Sequence, residues 1–171
     1  MMAPHEPSPA ATEVSRSRQI LLLLFCFALG VRLGYAYDIW RDPEDAIYNF
    51  HNVQGVPFSD AQSWDAAAEA VAQMQPVPAV WSGRRPFYYW FLAFFYVWTG
   101  PSFAVAMAVN LVLSALMAAL LADVGRRMFN WPVGLALGVW SVFDIESIVS
   151  SIQILTEPLG ALLVVWHVGL L

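Results

Sequence analysis

The chain has no lysine, a single cysteine and little charge: all 8 basic residues are arginine, and charged residues make up 12% of its 171 positions. Cys26 lies inside an apolar run, which excludes a disulfide framework or a cysteine-based metal site and leaves the redox compartment unread. A glycine-rich nucleotide loop, a G-x-S-x-G elbow, an H-E-x-x-H pair and any Cys/His cluster are also missing. His51 stands alone in a polar stretch and His167 alone in an apolar one, so neither is expected to be a ligand. Arginine without lysine fits phosphate recognition, because guanidinium presents a planar fork of donors, and fits a GC-rich coding bias equally well. So few charges against 59% hydrophobic residues and a mean hydropathy of +0.58 exclude an ordinary soluble domain and point to the membrane class. Nothing in the pattern points to nucleic acid.

What is present is a series of apolar runs divided by polar stretches. Residues 1–18, rich in Pro, Ala, Ser and Glu, bury little and are expected to form a disordered cytoplasmic tail. Residues 19–38 give a first span, about 30 Å long as a helix, matching the hydrocarbon thickness. A signal peptide is the rival reading, but no small-x-small cleavage site follows and the apolar character continues past Arg32. Arg16 and Arg18 ahead of this run place the amino terminus in the cytoplasm of a plasma (inner) membrane protein. Arg32, near the outer end, is expected to snorkel to the interface rather than bind anything.

Residues 39–101 form an external loop containing two interfacial helices, 59–73 and 86–99. In the first, Ala-rich composition favours helix, Ser59 is a candidate cap, and Asp60 is an acid in the first turn. Trp64, Ala67, Ala68 and Val71 fall on one stripe, a face suited to the membrane surface, and Pro76 and Pro78 end the segment. The second, an aromatic belt from Phe87 to Trp98, spans only about 18 Å as a helix and is too short to cross. Second and third spans are expected at 102–124 and 133–152, around a cytoplasmic turn at 125–132 carrying Arg126 and Arg127. Asp144 and Glu146 lie two thirds of the way along the third span, where they are either functional or mark the helix end. A fourth run, 157–171, reaches only about 21 Å from Pro158 to Leu171, so the chain is expected to be an incomplete piece of a longer protein. The fold class is therefore all-α, a multi-pass helical membrane protein.

On this topology Asp60, Asp65, Glu69 and Glu157 share one side of the membrane with Arg84 and Arg85. Carboxylates beside an apolar surface serve as general base or metal ligands, and an arginine pair holds a phosphate. The plainer reading makes Asp60 a helix N-terminal acid, Asp65 and Glu69 a solvated face, and the arginines interfacial anchors.

Four blocks resemble the GT-C glycosyltransferases. Ser59-Asp60-Ala61-x-x-Trp64-x-x-x-Ala68 is similar to their first-loop pattern of an acid followed by an aromatic and a small residue. Arg85-Pro86-Phe87-Tyr88-x-Trp90-Phe91-Leu92-Ala93 resembles their Pro-x-Tyr-x-x-Phe-Leu segment, and Gly125-Arg126-Arg127-Met128-Phe129 their cytoplasmic turn. Leu155-Thr156-Glu157-Pro158-Leu159 resembles their Leu-Thr-Glu signature. The likeness runs from Ile20 to Leu171 and matches the amino-terminal third of the oligosaccharide-repeat, aminoarabinose and protein mannosyl transferases. It implies transfer of a sugar from a polyprenyl-phosphate carrier to a lipid, glycan or protein acceptor on the outer face. It also implies that Asp60 is a base or a metal-associated carboxylate, which leaves a divalent metal open, and that Glu157 is the second acid. Arg84 or Arg85 would neutralise the carrier phosphate, with Trp64 beside them in the substrate-binding set. Two departures are Trp64 in place of the usual Tyr and Asp144 where a Pro is common. The alternative from a different class is a small non-enzymatic membrane scaffold.

Overall fold

A computed structural model describes residues 9–41, 60–77, 86–153 and 155–170, with the side chains of 9–13, 39–40 and 60 left out. Among the described residues there are seven α-helices and no strand: α1 (Pro9–Arg41), α2 (Asp60–Ala72), α3 (Pro86–Thr99), α4 (Phe103–Met128), α5 (Trp131–Phe143), α6 (Ile145–Ile152) and α7 (Glu157–Leu170). The all-α class follows. Val14–Asp38 of α1 and α4 are each long and apolar enough to cross a membrane, and α5 with α6 would make a third span, bent by 51°.

The first correction concerns the tail. Residues 9–18 are helical rather than disordered, because proline in a first turn forfeits no helical hydrogen bond and Ala10, Ala11, Glu13 and Arg16 are good helix formers. At its other end α1 runs on to Arg41, into the stretch assigned to the external loop. α4 likewise continues through Arg126 and Arg127, since cations in a last turn meet the negative end of the helix dipole. The expected turn at 125–132 is thereby shortened.

α4 is the axis of the bundle. Leu24 and Ala28 of α1 share a core with Ala115, Ala118 and Ala122, while Ala36 shares one with Leu111, so α1 and α4 run antiparallel. α5 folds back along α4 through glycines. A Cβ on Gly134 would run into the carbonyl of Ala122 and the amide of Arg126, and one on Gly138 into Leu24 and Ala122. The pair Gly134-x-x-x-Gly138 thus lets two backbones touch, the usual device where lipid removes any hydrophobic drive for helix association. α7 follows α4 in the parallel sense, with Leu159 in the core around Ala106 and Gly169 against Val124. The start of α1, with Arg16 and Arg18, and the end of α4, with Arg126 and Arg127, therefore lie at one end of the bundle.

α2 and α3 sit at the other end. Trp64, Ala67 and Ala68 pack on Tyr88, Tyr89, Leu92 and Tyr96, a core that Ala106 and Leu159 join. This corrects the second expectation: the apolar stripe of α2 is covered by α3 and is not offered to the membrane surface. Two apolar faces that meet in one chain satisfy each other, and burying Trp64 alone is worth about 2 kcal/mol. The opposite side of α3 stays open, with Phe87, Trp90, Phe94, Val97 and Trp98 all exposed. α2 stops in a Schellman turn, with Gln75 N–H bonded to Ala70 O at 2.8 Å and Met74 N–H to Val71 O at 3.0 Å. Met74 takes the left-handed position with φ of 57°, where glycine is the usual occupant.

Candidate functional site

The helix expected to form a third span is broken, not straight. At Asp144 the backbone turns extended, ending α5 and starting α6, and the Asp144 carboxylate accepts the Ser147 N–H at 3.1 Å as the cap of α6. Of the two roles open to Asp144, it performs that of a helix-end residue. Glu146 follows in the first turn of α6, where an acid suits the positive end of the dipole.

The break strips the last carbonyls of α5 of their helical donors. Arg32 supplies replacements. Its side chain is fully buried, and its guanidinium uses all five N–H groups: Nε to Ser114 Oγ at 2.7 Å, Nη1 to Ala28 O at 3.2 Å and Val142 O at 3.5 Å, and Nη2 to Ser141 O at 3.0 Å and Ser147 Oγ at 3.3 Å. Ser114 Oγ lies 2.9 Å from Ser147 Oγ, so α1, α4, α5 and α6 meet in one polar knot. Snorkelling is therefore the wrong reading of Arg32. A cation at a helix C-terminus is favoured by the dipole, and the Asp144 carboxylate acts on it electrostatically.

A second set of hydrogen bonds fixes the turn into α7. Asn110 Nδ2 donates to Gln153 O at 3.1 Å and Leu155 O at 3.2 Å, while its Oδ1 accepts from Tyr88 Oη at 3.2 Å. One asparagine of α4 thereby joins α3 to the Leu155-Thr156-Glu157 segment. Trp64 meets Tyr88 edge-on at 6.0 Å, and Tyr96 Oη donates to Asp65 Oδ1 at 2.5 Å. Burial pushes the Asp65 carboxyl above the usual carboxylate range, against the Tyr96 hydrogen bond, and Glu69 nearby pushes the same way. Burial also raises the hydroxyls of Tyr88 and Tyr96, and the fields of Glu157 and Asp65 both reach Tyr88. Asp65, Tyr88 and Glu157 accordingly belong to one neighbourhood.

Between α4, α6 and α7 runs a groove of about 320 Å³ lined by Asp144, Glu146 and Glu157 together with Met117, Ser147 and Ser150. Its acids hang from elements fixed by the Arg32 and Asn110 networks. Such a groove accepts cations or hydroxyl donors, and its carboxylates are suited to taking a proton. Among the described residues no three of His, Cys, Asp and Glu converge closely enough to hold a metal ion.

The residues named from the sequence fare differently. Glu157 is exposed in the first turn of α7 and lines the groove. Asp60 is the first residue of α2, but its side chain lies outside the described residues, as do Ser59, His51, Arg84 and Arg85. Trp64 is only 7% exposed and packed in the core, which leaves little of its ring for a ligand. His167 is exposed on α7. Sequence reasoning missed Asn110, Ser114 and Ser147 altogether; a lone polar residue inside an apolar run was the available signal for the first two. Comparison with protein-family models, with curated proteins and with solved structures gave no match.

Proposed function

We propose that the chain belongs to a GT-C-type glycosyltransferase of the plasma membrane, which moves a sugar from a polyprenyl-phosphate carrier to a lipid, glycan or protein acceptor on the outer face. On this reading α1, α4 and the bent pair α5–α6 are spans, α7 begins a fourth, and α2 and α3 form the interfacial part of the external loop. Arg16 and Arg18 of α1 and Arg126 and Arg127 of α4 are then cytoplasmic, in keeping with the positive-inside rule.

The observation that carries the reading is the order of four sequence blocks, joined by the position of the last one: Glu157 lines an acidic groove at the end of the bundle where α2, headed by Asp60, packs on α3. In the reaction, an acceptor hydroxyl or amine attacks the anomeric carbon, the bond from that carbon to the carrier phosphate oxygen breaks, and the carrier leaves as polyprenyl phosphate. Asp60 takes the acceptor's proton, Arg84 or Arg85 neutralises the departing phosphate, and Glu157 orients the acceptor.

The test is transfer from a polyprenyl-phosphate sugar in membranes carrying the natively encoded protein. Asp60→Asn and Glu157→Gln are each expected to lower transfer by about 100-fold or more while membrane insertion is unchanged. Unaltered transfer in both variants would remove the assigned roles, and no transfer by the wild-type protein would favour the scaffold reading.

A further inference from the structure

The arginine end of the bundle holds a groove that neither the proposed reaction nor the packing of the helices uses. It lies between the first part of α1 and the start of α5, has a volume of about 470 Å³, and is lined by Arg16, Ser17, Ile20, Trp131, Pro132 and Leu135. Its lining is graded. Arg16 is exposed at the mouth, Trp131 and Pro132 open α5, and Ile20 and Leu135 carry the apolar surface along both helices into the spanning region.

Charge around the mouth is predominantly positive. Arg126 stacks over the Trp131 ring at 5.4 Å from its centroid, so a groove-lining tryptophan also carries a cation. Asp123 pairs with Arg126 and Arg127 at 2.6 Å each, a single carboxylate shared by two guanidiniums. Arg16 makes no ion pair among the described residues, and Arg18 adds a further exposed cation. The start of α5 brings the positive end of its dipole to the same place.

A basic, tryptophan-flanked mouth leading into an apolar cleft between two membrane helices matches a molecule with an anionic head and hydrocarbon tails. We propose that this groove binds an anionic phospholipid, its phosphate held by Arg16 beside Trp131 and an acyl chain lying along Ile20 and Leu135. The site is independent of the glycosyltransferase reading, since it lies at the opposite end from the acidic groove. It gives the bundle a specific lipid partner, beyond the general attraction of arginines to a charged surface.

The experiment uses the full-length, natively encoded protein, delipidated and reconstituted into nanodiscs of equimolar phosphatidylcholine and phosphatidylglycerol, with retained lipid counted by native mass spectrometry. Wild type is expected to retain phosphatidylglycerol in preference to phosphatidylcholine. Arg16→Gln is expected to lower that preference about fivefold, the equivalent of one interfacial cation, while Arg18→Gln, an equal charge change outside the groove, lowers it much less. Leu135→Trp, which fills the groove without altering charge, is expected to lower retention too. Equal losses in Arg16→Gln and Arg18→Gln would show diffuse attraction and overturn the site. Retention untouched by Leu135→Trp, or no preference in wild type, would overturn it as well.

Discussion

The two ends of the bundle differ in their surface charges and are built by different means. At one end Arg16, Arg18, Arg126 and Arg127 stand at the surface, and the helices beneath are joined by glycine contacts between α4 and α5. At the other, Asp144, Glu146 and Glu157 line a groove above buried hydrogen bonds from Arg32, Asn110 and Tyr88. Backbone contact through glycine makes a tight joint but fixes no particular side chain. A satisfied polar network fixes carbonyls, caps and turns, which is what a site with placed carboxylates requires. The difference teaches where to look for chemistry: charge occurs at both ends, but among the described residues the carboxylates of the acidic end are the ones set on a buried hydrogen-bond network.

The comparison breaks most severely at Arg32. Arg32→Ala leaves the Ser141 and Val142 carbonyls and Ser114 without their donor, and leaving such buried acceptors unsatisfied is expected to cost about 3 kcal/mol, read as a lowered midpoint of thermal unfolding in detergent. Arg32→Lys, with a point charge in place of a fork, is expected to recover only part of that loss. Next in size is the glycine joint. Gly134→Leu forces α5 away from the Ala122 carbonyl and is expected to cost about 2 kcal/mol by the same measurement, while hydrogen exchange at the turn into α7 stays unchanged.

A smaller and local effect sharpens the acidic end. Because burial raises the Asp65 carboxyl above its unfolded value, the folded state favours the protonated form. The docking of α2 on α3 is then at full strength below the ordinary carboxylate range and weakens as pH rises through the raised value. Exchange of the α2 amides, corrected for intrinsic rates, is expected to be slower at acidic than at neutral pH, and Asp65→Asn is expected to flatten that dependence. Least affected is the surface ion pair of the arginine end: Arg127→Gln removes one arm of it, since the Arg127 side chain is 62% exposed, and is expected to change stability by less than about 0.5 kcal/mol.

Much of the helical framework was legible in the sequence because length and period report it directly. The bounds of α3 at 86–99 coincide with the aromatic belt, and α2 at 60–72 with the alanine-rich stripe. What was illegible depended on partners far along the chain. Arg32 looks interfacial when judged only by its distance from the end of its own run, yet its best hydrogen bond is to Ser114, 82 residues away. The stripe of α2 suited a lipid surface equally well until α3 was found covering it. Two other features were present and passed over. Asp144-Ile145-Glu146-Ser147 is a helix start, with a capping acid and a second acid in the first turn, and Gly134-x-x-x-Gly138 is a close-approach pattern. Both were masked by the apolar residues around them, which read as one continuous span. The acidic groove was legible only in part, as Glu157 within its block; its neighbours Asp144 and Glu146 join it because the span bends.

That the acidic and basic ends lie on opposite sides of a membrane is most directly tested by labelling with a membrane-impermeant thiol reagent in intact cells, using single-cysteine variants in a Cys26→Ala background. Glu157→Cys is expected to label from the outside and Arg127→Cys only after the membrane is permeabilised. Labelling of both from the same side, or in the reverse order, would contradict the assignment of the acidic groove to the outer face.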